Sequence, residues 1–251
     1  MLTSQRKQAI LAALKRDGQV IAKTQSEAFG VSEDTVRRDL RELAAEGLLQ
    51  RVHGGALPAS PAVANFSGRQ RIEPATKLAL ARAAAKMIQP GQIVVLDGGT
   101  TAIQLARQLP VDLQATVVTH SPNVAMELID HAGVEVILIG GRLFKHSMVA
   151  VGAAAIEAIG HIRADIYFMG VTGVHASAGL STGDLEEAYV KRALMACAAE
   201  TVVLASAEKI NAASPYVIAG VNAASAILVE KETRAALIKP LSKAGATVVR
   251  V

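Results

Sequence analysis

Through the first third of the chain, apolar residues recur at helical spacing. Residues 4–16 set Ile10, Leu11 and Leu14 on one side of a helix and Arg6, Lys7, Lys15 and Arg16 on the other. A second, short helix is expected over Gln25–Phe29, ending at Gly30, where a positive φ costs little. Ser32 is placed to cap a third helix, with Glu33 and Asp34 favourably in its first turn. Gly30-Val31-Ser32 is then the turn of a helix-turn-helix. At ~100° per residue from Val36, Leu40 falls near ~40° and Leu43 near ~340°, while Arg37, Arg41 and Arg38 fall near ~100°, ~140° and ~200°. The arginines thus lie opposite the core stripe, as a helix entering the major groove requires. Guanidinium forks bridge phosphates or grip guanine O6 and N7. Thr35 and Val36 add to this reading, because recognition helices meet bases with their N-terminal residues. The alternative is a solvated face, its arginines paired with Asp39 and Glu42.

After Gly47, the run Leu48-Leu49-Gln50-Arg51-Val52-His53-Gly54-Gly55-Ala56 reads as a short strand, a basic pair and a diglycine turn. It suits the wing of a winged helix, with Arg51 and His53 against duplex DNA. A plain hairpin closing the domain core is the alternative. From Ala56 to Pro74, with Pro58, Pro61 and Gly68 between, the periodicity lapses and a linker is expected. The chain divides into a winged helix-turn-helix domain over 1–57, a linker over 58–74 and a larger domain over 75–251.

In the larger domain β-branched runs alternate with helical stretches. The runs are Ile93–Asp97, Thr116–Thr119, Val134–Ile139, Ile166–Gly170, Thr201–Ala205, Ala226–Val229 and Thr247–Val251. Helices are expected over Ala102–Leu109, Asn123–His131, Ala153–His161 and Leu185–Ala199. This alternation predicts a doubly wound, largely parallel α/β sheet, whose ligands bind beyond the carboxyl ends of the strands.

Composition narrows the function. Half of the 251 residues are apolar (51%) but only four Phe and three Tyr are present, which disfavours single-strand binding on base-stacking platforms. One cysteine, Cys197, excludes an internal disulfide and four-cysteine zinc sites. The six histidines show no paired metal spacing, so no metal and no cofactor is expected. No apolar run approaches the ~20 residues of a membrane span and the N-terminus is too polar for a signal peptide, so a cytoplasmic protein is expected. The net charge of +4 is unevenly placed: residues 1–86 hold 14 basic and 8 acidic residues, the remainder 12 and 14. Residues 1–57 alone hold nine basic and seven acidic residues, so orientation of the arginines matters more there than bulk charge.

The strongest chemical feature of the larger domain is Ile93-Val94-Val95-Leu96 running into Asp97-Gly98-Gly99-Thr100-Thr101. A buried strand enters a Gly-rich turn and a helix follows, so amide groups and two hydroxyls form an anion site. Without GxxxxGK[ST] or GxGxxG, a phosphate monoester suits it better than a nucleotide. Glycines placed there for packing are the alternative. Thr119-His120-Ser121, Gly140-Gly141-Arg142 and Gly170-Val171-Thr172-Gly173 follow later strands and point to one pocket assembled from several loops. Thr182 or Asp184 is placed to cap the helix that carries Glu187 and Lys191, an i,i+4 pair. Lys209 follows the Thr201–Ala205 run and is a candidate phosphate ligand.

Arg6, the run Val31–Leu40, Gly47-Leu48-Leu49 and Arg51–Ala56 resemble the DeoR/GlpR family of bacterial transcription regulators. Gln25-Ser26 departs from that family's usual Leu-Ala. The resemblance continues through Arg69, Lys77, Asp97–Thr101, Thr119–Ser121, Gly140–Arg142, Gly152, Asp165, Gly179, Glu187–Arg192 and Lys209. It implies an effector domain with the fold of ribose-5-phosphate isomerases and glucosamine-6-phosphate deaminases, binding a phosphorylated sugar without turning it over. His120 stands where Asn is frequent, and Ser206-Ala207-Glu208-Lys209 replaces an Asp-containing stretch. Operator contacts are expected from Arg6, Ser32, Thr35, Val36, Arg37, Arg38, Arg41, Arg51 and His53. Effector contacts are expected from Asp97, Gly98, Gly99, Thr100, Thr101, Thr119, His120, Ser121, Gly141, Arg142, Asp184, Glu187, Lys191 and Lys209. The expected function is repression of a carbohydrate-utilisation operon by a homo-oligomer, a dimer or tetramer, that a phosphorylated sugar or related metabolite releases from double-stranded operator DNA. The competing class is a sugar-phosphate isomerase or deaminase with a basic N-terminal appendage.

Overall fold

The computed structural model describes residues 1–60 and 66–251. The first unit is built from α1 (Thr3–Asp17), β1 (Val20–Ile21), α2 (Ala22–Phe29), α3 (Glu33–Ala45), β2 (Leu49–Val52) and β3 (Gly55–Pro58). Ile10, Leu14, Val36, Leu40, Leu43 and Leu49 close its core, as the helical spacing requires. The strands form a small antiparallel sheet in the order β1-β3-β2, a winged helix-turn-helix. Gly55 is required there, because a Cβ would lie 1.8 Å from the Val20 carbonyl oxygen on the neighbouring strand. The second helix begins at Ala22, three residues before Gln25, because β1 runs straight into it and Gly54 accepts the Ala22 amide. Ala22 is its one buried residue, so Gln25 and Ser26 are only half-buried and occupy no core position.

The connecting segment is not all irregular. It carries α4 (Phe66–Gln70) and meets α5 (Pro74–Ala85); Pro61 and the rest of 61–65 lie outside the described residues. The larger unit then runs β4 (Ile93–Leu96), α6 (Thr100–Arg107), β5 (Ala115–Thr119), α7 (Pro122–Glu127), β6 (Val134–Leu138), the hairpin β7 (Arg142–Phe144) and β8 (Val149–Val151), and α8 (Ala153–Gly160). It continues through β9 (Ala164–Gly170), β10 (Gly173–His175), β11 (Gly179–Thr182), α9 (Leu185–Cys197), β12 (Ala198–Leu204), β13 (Tyr216–Ala219), β14 (Ala226–Val229), α10 (Ala235–Lys243) and β15 (Val248–Arg250).

Each of the seven β-branched runs contributes a strand to one parallel sheet, ordered β15-β14-β12-β9-β4-β5-β6. Alternate residues of each strand face two separate cores. Val95, Tyr167, Met169 and Val203 pack on one side, and Val94, Leu96, Phe168 and Val202 on the other. Burial on both faces is why these strands are apolar throughout rather than alternating. The chain starts at β4, builds outward to β6, then returns to β9 on the other side of β4. That reversal opens a crevice at the carboxyl ends of β4 and β9. A second, antiparallel sheet, β10-β11-β13, stands beside it.

Candidate functional site

On the N-terminal unit, Ser32 caps α3: its Oγ accepts the Thr35 amide at 3.2 Å and lies 2.9 Å from Thr35 Oγ1. Arg37, Arg38 and Arg41 are exposed on α3. Arg37 is paired with Glu33 at 2.7 Å, whereas Arg38 and Arg41 have no carboxylate partner among the described residues. Two acids of the same helix are engaged elsewhere, Asp39 by Arg6 and Glu42 by Lys7 at 2.9 Å. Arg51 and His53 are exposed on the wing, and with Arg37 they line a notch beside Gly54 and Gly55.

Two residues expected at this surface are placed elsewhere. Arg6 is buried, not outward, because both its Nε and Nη2 donate to the buried Asp39 carboxylate and so clamp α1 to α3. Val36 is fully buried on the core stripe, so its position near the helix start brings it to no base.

In the larger unit, Asp97 sits at the carboxyl end of β4, at the strand-order reversal, and is fully buried. Its Oδ1 accepts from the Gly98 amide at 2.8 Å and lies 2.9 Å from His120 Nε2. Its Oδ2 accepts from the Gly170 amide at 2.7 Å and from Lys191 Nζ at 2.5 Å. Burial pushes this carboxyl up, but Lys191 and His120 outweigh burial and hold it well below the usual carboxylate range. Lys191 also donates to the Gly170 carbonyl at 3.0 Å and lies 3.5 Å from the Glu187 carboxylate. Glu187 in turn accepts from Thr182 Oγ1 at 3.0 Å and Ser147 Oγ at 3.3 Å. This network ties β4, β9 and α9 together beneath the crevice.

Above it lies a narrow cleft, partly open to solvent, lined by Gly98, Gly99, Thr100 and Thr101 at the turn into α6, by Glu187 and Lys191 of α9, and by Lys209. Gly99, with φ 102°, lets the chain turn into α6, and no side chain caps that helix. Its first amides therefore offer donors to an anion, reinforced by the helix dipole. Lys209 is buried and has no ion-pair or hydrogen-bond partner for its ammonium among the described residues. Burial first, then neighbouring Lys77, Arg69 and Lys191, push its pKa down to about 8 against the pull of Glu208. An arriving dianion would supply the partner that Glu208, near but not bonded to the ammonium, does not.

Not every expected loop reaches this cleft. Thr119, His120 and Ser121 are buried beneath β8, where the Ala150 amide bonds the His120 carbonyl and His120 Nδ1 lies 2.9 Å from the Ala150 oxygen. His120 thus supports Asp97 rather than facing the cleft. Gly141 and Arg142 are exposed at the start of β7 and do not line it. Asp184 caps α9 by accepting the Glu187 amide at 2.9 Å. Thr172 lines the cleft from the Gly170–Gly173 loop, and Arg69, Ile72, Thr182 and Glu208 line it without having been assigned to it from the residues. Only the family resemblance at Arg69 and Lys77 carried a signal for that wall. Among the described residues there is no group of three metal-ligating side chains, and no helix is long and apolar enough to cross a membrane.

Both units match known proteins. The DeoR-like helix-turn-helix domain matches residues 6–61 and the DeoR C-terminal sensor domain matches residues 72–231. The HTH-type transcriptional regulator GlpR of Haloferax volcanii is 31% identical over 251 residues, 99% of this chain and 98% of its own. The HTH-type transcriptional repressor GlcR of Bacillus subtilis is 30% identical, covering 98% and 95%. The glycerol-3-phosphate regulon repressor of Escherichia coli is 33% identical over 78% of each chain. With exposed arginines on a capped recognition helix and a sensor domain joined to it, the chain belongs to the DeoR family of DNA-binding transcriptional regulators.

Proposed function

We propose that the protein represses a carbohydrate-utilisation operon and leaves its operator when a phosphorylated sugar or related metabolite occupies the cleft. In this reading residues 1–57 bind DNA, 75–251 sense the effector and 58–74 connect them. Lys209 carries the proposal: a buried cation whose ammonium is bonded to no carboxylate, lining the same cleft as the uncapped start of α6, suits a phosphate monoester. The names of two relatives, the repressor of a glycerol-3-phosphate regulon and GlcR, point the same way. Arg37, Arg38, Arg41, Arg51 and His53 are the operator contacts, in the cytoplasm, from a homo-oligomer that sets two modules at half-site spacing. The effector shifts the population of that assembly by its differential affinity for the two arrangements.

Turnover is disfavoured by the same geometry. Of the groups suited to acid–base work, Asp97 and Glu187 are tied to Lys191 and Asp184 caps α9, which leaves Lys209 in the cleft with no carboxylate bonded to it. A thermal-shift panel of phosphosugars tests the reading, since a ligand at 100 times its Kd stabilises by ~2.7 kcal/mol. A hit then goes into gel shifts with DNA upstream of the gene, where it should release the protein. Absence of any phosphosugar-dependent shift, or turnover of the bound sugar at enzyme rates, overturns it.

A further inference from the structure

The segment between the wing and the sensor domain touches the effector cleft at both of its described ends. Directly after β3, the Pro58 carbonyl accepts the Ala213 amide at 3.2 Å and Ala59 pairs with Ala213 as a parallel bridge. Ser60 Oγ then donates to the carbonyl of Thr172, a residue of the cleft wall whose own hydroxyl lies 2.7 Å from Ser214 Oγ. At the other end, Arg69 of α4 lines the cleft. Its Nη2 donates to the His146 carbonyl at 3.1 Å, but its Nε is buried without a partner and no carboxylate pairs with it among the described residues. Lys77 Nζ donates to the carbonyls of both Arg69 and Ile72, so the guanidinium is presented from a pinned backbone. Arg69 is also close enough to Lys209 to lower that lysine's pKa, while burial lowers its own against the pull of Glu187 and Asp97.

A guanidinium is a bidentate fork suited to phosphate, and a buried donor without a partner is a standing penalty that a ligand oxygen removes. We propose that the two described ends of the connector are walls of the effector site: Arg69 grips the phosphate monoester together with Lys209, and Pro58–Ser60, bonded to Ala213 and to the cleft residue Thr172, carry that occupancy to the wing. The proposal rests on the reading of the cleft as a phosphate site. It goes further in making the tether of the DNA-binding unit part of the ligand's own shell, so that the ligand acts on the tether without first moving the seven-stranded sheet.

The test uses the full-length protein with inorganic phosphate as probe, read by hydrogen exchange and by binding titration. Phosphate should slow exchange at the start of α6 and also at the amides of residues 59–60 and 66–72 in the wild type. Arg69→Gln should bind phosphate at least ~10-fold more weakly, and at saturation should protect α6 but no longer 59–60. The wild-type exchange pattern decides the matter even if a variant folds poorly. Protection of neither region defeats the phosphate reading and this inference with it. Protection of α6 alone, or Arg69→Gln binding phosphate like the wild type, overturns the connector's role and leaves the phosphate reading standing.

Discussion

On the outer face of α3, Arg38 and Arg41 stand exposed with no carboxylate partner among the described residues, while in the sensor domain Asp97 and Lys191 are buried and hold each other. The contrast even runs through α3 itself, whose inner face carries the buried Arg6–Asp39 pair. Exposed charges contribute little to stability and so are free to meet a partner. Buried charges cannot be released without a large penalty, so they fix a shape and leave sensing to whichever cation lacks a counter-charge. In the cleft those cations include Lys209 and Arg69.

The largest effect should follow from breaking a buried pair. Asp97→Ala leaves Lys191 buried against a weaker set of partners and should destabilise the sensor domain by ~3–5 kcal/mol in denaturant unfolding. Arg38→Ala and Arg41→Ala should stay within ~0.5 kcal/mol of the wild type in the same experiment. Equal stability of all three proteins would erase the distinction between the two regions.

In DNA binding the ranking should invert. Replacing Arg38 and Arg41 together should weaken operator binding by ~1–3 kcal/mol for each arginine that grips a base, or reduce the salt slope by ~0.9 for each that neutralises a phosphate. Unchanged affinity and salt dependence would mean that these two arginines are merely solvated.

Periodicity made the seven strands, the α3 arginine face and the Asp97–Thr101 turn legible, because each is a local pattern. It misplaced Arg6, since the residue that buries it, Asp39, lies 33 positions away and helical spacing says nothing of it. It assigned Thr119, Ser121 and Arg142 to the cleft because they follow strands at the correct sheet edge. The β7–β8 hairpin, too short and irregular to announce itself, covers the loop after β5. It also left Arg69 unassigned, because α4 is too short to show a period, and only tertiary closure brings it to the crevice at β4 and β9.

The free lysine of the cleft should make phosphate binding pH-dependent. A buried lysine with its pKa pushed down to about 8 is charged below that pH and neutral above it. Phosphate affinity should therefore fall as pH rises through about 8, by up to ~10-fold per unit, with a proton taken up on binding there. On the acid side a phosphate monoester loses its second charge below ~6, so affinity should peak between the two. Lys209→Met should abolish the alkaline limb in a calorimetric titration; a limb that survives belongs to another group.

The smallest effect concerns the one recognition-helix arginine that is not free. Arg37 shares the exposed face with Arg38 and Arg41 yet is held by Glu33 one turn earlier, so it is the surface version of a pair that the interior makes obligatory. An exposed i,i+4 pair is worth ~0.3–0.5 kcal/mol, and Glu33 also favours the helix start by its charge. Glu33→Gln should then destabilise the N-terminal unit by under about 1 kcal/mol while strengthening DNA binding and steepening its salt dependence, because Arg37 and the phosphates no longer face a nearby carboxylate. Titration by fluorescence anisotropy at two salt concentrations separates the two consequences. If DNA binding weakens instead, Glu33 is orienting Arg37 for a base contact, and the division between engaged and available arginines on α3 would have to be redrawn around that pair.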